Sequence, residues 1–409
     1  MVASSKKPLP IESSIALACG GTPPRIWIFL FFFVSGATGL IYEVVWTRLL
    51  TLVMGNTHYS IATVLTAFMG GLALGSYAGG KVIDRRFNPL AAYAFLELGI
   101  GLYCLIIPGL IDFAFPLFKW VYLNWGDSYT QASMIRFSIC VAILIVPATF
   151  MGATLPVLSK FVSRDKAHIG KDVGTLYSIN TFGAVFGAWA SAFVFMRLWG
   201  VQSTIWMTAL LNLAISAAIF LIFRPPVKGS ITHEPESPLS PLDNREKLIL
   251  LSFGFSGMVA LVYQIAWNRI LSLLLGSSVY AFSLILTAFI LGLALGTASF
   301  SRLLSRFGDP MRVYGFTQIT IGVASLLSIP LFGTIPFVNR WIYANWGLQF
   351  DFIQFTNFLI IFALLFIPTF FMGAQFPLVI KLTTRKLETL GRHVGRIYAC
   401  NTIGAIVGS

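Results

Sequence analysis

Polar positions along this chain are sparse and clustered, and long unbroken apolar stretches run between them. Runs of about 20 apolar residues have the length of a helix that crosses a bilayer. Eleven such runs fall at 25–46, 57–80, 89–113, 135–160, 175–197, 201–223, 248–267, 278–301, 312–335, 353–380 and 394–409. They are too long for the short alternating strands of a membrane β-barrel. The pattern therefore predicts an all-α polytopic membrane protein.

The polar positions also recur in a fixed register. SGATGLIYEVVWTRLL (35–50) reappears as SGMVALVYQIAWNRIL (256–271), 221 residues later. The same offset aligns TAFMGGLALGS (66–76) with TAFILGLALGT (287–297), and NWG (124–126) with NWG (345–347). It also aligns FMGA (150–153) with FMGA (371–374), and Tyr177, Asn180 and Thr181 with Tyr398, Asn401 and Thr402. A gapless offset over so many turns is the mark of a duplicated fold. Each unit holds six helices, so the chain returns to its starting side and the repeats are parallel. They are related by an axis along the membrane normal, as are the two halves of major facilitator transporters. This reading divides the chain into a tail (1–24), a first repeat (25–223), a Pro- and Ser-rich linker (224–247) and a second repeat (248–409). Ser409 corresponds by the offset to Ala188, midway along a helix. The sequence is accordingly expected to be a fragment, its second repeat truncated in helix 11, because a helix does not end unsatisfied inside the hydrocarbon layer.

Composition agrees with a membrane protein: 57% of the residues are hydrophobic, 11% are charged and mean hydropathy is +0.82. The net charge of +13 does not point to nucleic acid, because the basic residues gather in alternate loops. Lys81, Arg85 and Arg86 follow the second run; Lys160, Arg164 and Lys166 follow the fourth; Arg302 and Arg306 follow the eighth; Lys381, Arg385 and Lys386 follow the tenth. The positive-inside rule then puts the N-terminus and the linker in the cytoplasm, and the chain in the plasma (inner) membrane as a multi-pass protein. The four cysteines have no metal-ligand spacing and read as small apolar residues. No metalloprotease, nucleophile-elbow, P-loop or dinucleotide motif is present, so the chain offers no catalytic residue, metal site or cofactor site.

Small residues form the clearest packing signal. Gly71, Gly75 and Gly79, with Gly292 and Gly296 in the copy, share helix faces that let backbones approach closely. Pro147 and Pro156 bracket Gly152, and Pro368 and Pro377 bracket Gly373. Such prolines free backbone carbonyls, either at a static kink or along a cavity.

Ionisable groups inside the membrane are costly and are functional candidates by default. Glu43 lies in the first run, and Glu97 lies in the third with Tyr93 one turn away. The second unit has Gln264 and Gln318 at these places. Glutamine keeps the shape and hydrogen-bonding reach of glutamate but not its charge. Glu97, Glu43, Tyr93, Tyr42, Gln264 and Gln318 are thus candidates for binding a cation or coupling a proton, and Tyr42, Trp46, Tyr263 and Trp267 add aromatic faces. The alternative is that each glutamate is neutralised locally. Arg48 lies about 140° around the helix from Glu43, so it is not the neutralising partner. The loop GGKVIDRRFNP (79–89) resembles the cytoplasmic Gly-x-x-x-Asp-Arg loop of major facilitator proteins, where an acid and arginines hold the inward gate. Asp84 and Arg85 become gating-loop candidates by that resemblance; the second copy departs from it with Ser305. A simple anchoring loop is the alternative.

Taken together, the paired S-G-x-x-x-L-[IV]-Y-[EQ]-[VI]-x-W-x-R, TAF-x-x-GLALG, FMGA-x-x-P and Y-x-x-N-T-x-GA stretches resemble the membrane part of fused transmembrane/spermidine-synthase-like proteins. The resemblance covers roughly residues 25–409. It implies a major-facilitator-like membrane domain followed by a cytosolic aminopropyltransferase-like domain, none of whose catalytic residues has a position here. Three expectations stay open. The chain transports a polyamine or other small cationic solute across the lipid bilayer; it anchors or scaffolds an aminopropyltransferase domain; or it is the inert half of a membrane-bound aminopropyltransferase.

Overall fold

The computed structural model describes residues 24–409 apart from 55–56, 85–86, 126–128, 164, 166–167, 227–242, 277, 307, 347–348 and 385–388. The N-terminal tail, most of the linker and Arg85 therefore lie outside the described residues. The first half comprises α1 (Arg25–Met54), α2 (Thr57–Ile83), α3 (Pro89–Trp125), α4 (Tyr129–Val162), α5 (Ile169–Ala190) and α6 (Met196–Ala218). The second comprises α7 (Asn244–Leu275), α8 (Val279–Leu303), α9 (Pro310–Phe332), α10 (Ile335–Trp346), α11 (Phe350–Thr383) and α12 (Leu390–Gly408). No strand occurs among the described residues. Nine described stretches are long and apolar enough to cross a membrane, and one of them, 169–223, is broken at Gly200. Gly200 has φ 74° and ψ 178°, a backbone state that only glycine adopts cheaply.

Helix ends differ from the apolar runs because caps set them, whereas hydropathy reports only the apolar layer. The Asn88 side chain accepts from the Leu90 N–H at 2.9 Å, and Asp309 accepts from the Met311 N–H at 3.0 Å. These caps are 221 residues apart, and each precedes a proline that opens the helix. Asp243 and Glu246 form a capping box, so α7 starts at Asn244 rather than at 248. The third run, expected to end at 113, continues as helix to Trp125. Its copy breaks into α9 and α10 at Gly333 and Thr334. Gly333 stands where α3 has Asp112, and glycine disfavours helix.

Inside the first half α1 packs on α5 and α2 on α4; in the second, α7 packs on α12 and α8 on α11. Close backbone contact makes these pairings. A side chain at Gly75 would strike the Thr149 carbonyl of α4, and one at Gly296 would strike the Phe370 carbonyl of α11. Gly183 and Gly404 meet the carbonyls of Phe33 and Gly254 in the same way. Each contact maps onto its twin by the offset. The halves meet through α2 against α12 and α5 against α8, a pair of contacts that exchange under the repeat.

The outward surface carries large apolar side chains such as Phe95, Leu102, Phe113, Leu221, Leu273 and Phe316, as lipid contact requires. Pro377 cannot donate to the Gly373 carbonyl one turn earlier. The Thr297 hydroxyl of α8 fills that vacancy at 2.7 Å, so this proline strengthens the α8–α11 contact.

Candidate functional site

A cavity of about 210 Å³ lies between the halves, lined from α1, α2, α5, α7, α8, α11 and α12. Two asparagines build its walls. Asn180 donates to the Phe32 carbonyl at 3.0 Å, and Asn401 donates to the Phe253 carbonyl at 2.9 Å. Each ties the repeat's fifth helix to its first at the positions where Gly36 and Gly257 leave room. At one end Tyr177, Phe376 and Tyr398 pack together. The Tyr177 and Phe376 ring centres are 4.4 Å apart, and those of Phe376 and Tyr398 are 6.2 Å apart.

Glu43 and its counterpart Gln264 both line this cavity. Glu43 is 3% exposed, and among the described residues its carboxylate has no hydrogen-bond or ion-pair partner. The Glu43 backbone carbonyl, by contrast, accepts from the Thr47 hydroxyl at 2.8 Å. Glu43 is the one carboxylate among the cavity-lining residues. A carboxylate in a low-dielectric space without a protein counter-charge attracts a cation or a proton strongly.

Glu97 is placed elsewhere. It is fully buried inside the first half, outside the cavity lining. The Ser35 hydroxyl donates to Oε1 at 2.6 Å and the Asn212 amide donates to Oε2 at 2.6 Å. The Asn212 amide also donates to Thr38 Oγ1, and the Tyr42 hydroxyl donates to Asn212 Oδ1, both at 3.1 Å. This network joins α1, α3 and α6. Tyr93 packs beside it, edge-on to Phe32. Tyr42 stacks on Trp46 with ring centres 5.3 Å apart, as Tyr263 stacks on Trp267 at 5.1 Å. The counterpart Gln318 donates to the Tyr314 hydroxyl at 2.9 Å. The candidates thus fall into two groups: Glu43 and Gln264 at the cavity, and Glu97, Tyr93, Tyr42 and Gln318 in helix packing.

Asp84, at the end of α2, forms a third polar cluster. Its side chain is 1% exposed. Lys160 Nζ donates to Oδ1 at 3.0 Å, and the Arg392 backbone N–H donates to Oδ2 at 2.9 Å. The Gly391 N–H reaches Oδ1 at 3.3 Å. The carboxylate thus sits at the N-terminus of α12, where the helix dipole favours an anion, and bridges the two halves. In the second half, where Ser305 replaces Asp84, Lys381 donates to the Leu304 carbonyl instead.

Asn180 and Asn401 entered the sequence reading only as repeat positions, and Gln375 and Asn212 not at all. Gln375 is one of the two residues, with Phe376, at which FMGAQFP departs from FMGATLP. The two cavity asparagines sit inside the repeated Y-x-x-N-T stretch, and Asn212 is a lone amide in an apolar run; each was a usable signal. Among the described residues no three His, Cys, Asp or Glu side chains come together as metal ligands would.

No family model matches the chain. Two curated proteins of Streptomyces coelicolor are similar over about half of it. Polyamine aminopropyltransferase 2 is 27% identical over 197 residues, 47% of this chain and 33% of that protein. Polyamine aminopropyltransferase 1 is 24% identical over 200 residues, 49% of this chain and 34% of that protein. The match spans about a third of the length of these relatives. Among solved structures, a bacterial homologue of the iron transporter ferroportin superposes with TM-score 0.58 at 12% identity, covering 93% of this chain and 89% of that one. The Escherichia coli fucose:proton symporter superposes with TM-score 0.54 at 13% identity, covering 94% and 89%. At such identities the likeness is one of fold: an all-α membrane protein built like the major facilitator transporters.

Proposed function

We propose that this chain is a membrane transport domain that carries a small cationic solute, a polyamine or related amine, through the cavity between its halves. The observation that carries the reading is Glu43, a buried carboxylate on the cavity wall without a partner among the described residues. In folds of this type the halves rock about a site near the midplane, and a cation bound at Glu43 would be presented to each side in turn. Asp84 would close one end, since its bonds to the start of α12 must break for the halves to separate there. Lys81, Lys160, Lys171, Arg302, Lys381 and Arg392 all sit at that end of their helices, which supports a cytoplasmic placement for it, and for the N-terminus and linker, in the plasma membrane. The test is uptake of radiolabelled putrescine, N-acetylputrescine and spermidine into proteoliposomes. Wild-type protein should accumulate label above empty liposomes, and Glu43→Gln should not. Equal accumulation in protein-containing and empty liposomes would sink the reading.

A second reading is favoured by the names of the similar curated proteins, both polyamine aminopropyltransferases. In it the chain anchors a cytosolic aminopropyltransferase domain of a longer protein. Transport and anchoring are compatible if the solute moved is the amine that such a domain makes or consumes. Aminopropyl transfer by the full-length protein, with no uptake in liposomes, would favour anchoring alone.

A further inference from the structure

The central cavity is chemically two-ended. On α7, Ser256 and Gln264 both line it and are eight residues apart, about 12 Å along the helix. Glu43 stands on α1 at the position equivalent to Gln264, so the carboxylate belongs to that level of the cavity. At the Ser256 level the Ser256 hydroxyl donates to Gln375 Oε1. This leaves Gln375 Nε2 with no partner among the described residues, although Gln375 is only 2% exposed. An orphaned buried amide edge is costly unless a ligand or water completes it. If the amide were turned over, the unpaired group would be its carbonyl, and that end would still be neutral.

We infer that the cavity takes a singly charged organic amine whose far end is a neutral hydrogen-bonding group, in preference to a diamine; the inference rests on the cation-transport reading above. The ammonium meets Glu43, and the neutral end, an amide or hydroxyl, meets Gln375. A diamine would bring a second charge to a place with no counter-ion among the described residues that line the cavity. The rings of Tyr177, Phe376 and Tyr398 at that end are packed on one another. A cation–π contact with them returns less than an unpaired buried ammonium costs.

The test compares putrescine with N-acetylputrescine, which shares its four-carbon chain and one ammonium but ends in an amide. Equilibrium binding to the purified chain in lipid nanodiscs should favour N-acetylputrescine by at least about tenfold. Gln375→Glu should reverse the order, and Glu43→Gln should remove binding of both. A preference for putrescine, or less than about a tenfold preference for the acetylated amine, overturns this inference and leaves the cation reading standing. Binding of neither amine to wild-type protein overturns the cation reading and this inference with it. The wild-type order decides even if Gln375→Glu does not fold.

Discussion

Helices α1 and α7 are held by the same atoms. Asn180 bonds the Phe32 carbonyl as Asn401 bonds that of Phe253, and Tyr42 stacks on Trp46 as Tyr263 stacks on Trp267. Glycines at equivalent places admit the same neighbouring carbonyls. The two halves part company at their acids. Glu43, Asp84 and Glu97 stand in the first half where the second has Gln264, Ser305 and Gln318. The scaffold is therefore duplicated and the charge is not. A symmetric frame around a cavity with one charged wall can bind a solute in one orientation, whereas two charged walls would bind it in two.

The largest expected effect lies at the cavity. Glu43→Gln should lower amine uptake by about 100-fold, the loss of one charge-assisted contact of about 3 kcal/mol. Gln264→Ala should lower it by less than about tenfold, because a neutral contact is worth about 1 kcal/mol. Equal losses at the two positions would erase the functional difference between the halves.

Stability should separate the acid of the packing network from its copy. Glu97→Ala leaves Ser35 and Asn212 without their acceptor in a buried site, a cost of about 3 kcal/mol; Gln318→Ala breaks one bond to Tyr314 and should cost about 1 kcal/mol. Thermal unfolding in detergent checks both. The shared frame should respond alike. Gly75→Leu and Gly296→Leu force apart helices whose backbones touch and should each destabilise by about 2 kcal/mol or more. Asn180→Ala and Asn401→Ala should each cost about 1 kcal/mol, equal within about 0.5 kcal/mol. Unequal losses in either pair would show that the duplication is less faithful energetically than it is in geometry.

Much of this frame was legible in the sequence, because a 221-residue offset fixes register, and register fixes which faces meet. The four-residue spacing of the glycines predicted close helix contacts, and the structure supplies the partners of Gly75 and Gly296 in Thr149 and Phe370. Helix ends were less legible, since Asn88, Asp243 and Asp309 set them outside the apolar layer. For the acids, the sequence pattern could not separate Glu43 from Glu97. Both are lone carboxylates in apolar runs. Which one meets the cavity depends on Asn212, 115 residues from Glu97, which folds over it from α6. Gln375 was not legible, because a Thr-to-Gln difference between copies has no meaning until Ser256 stands beside it.

The most direct measurement moves the charge across the cavity. Amine uptake by proteoliposomes should be lost in Glu43→Gln and partly regained in the double variant Glu43→Gln/Gln264→Glu, because both positions line one space. Undiminished uptake in Glu43→Gln would contradict the claim that this carboxylate is the cation site.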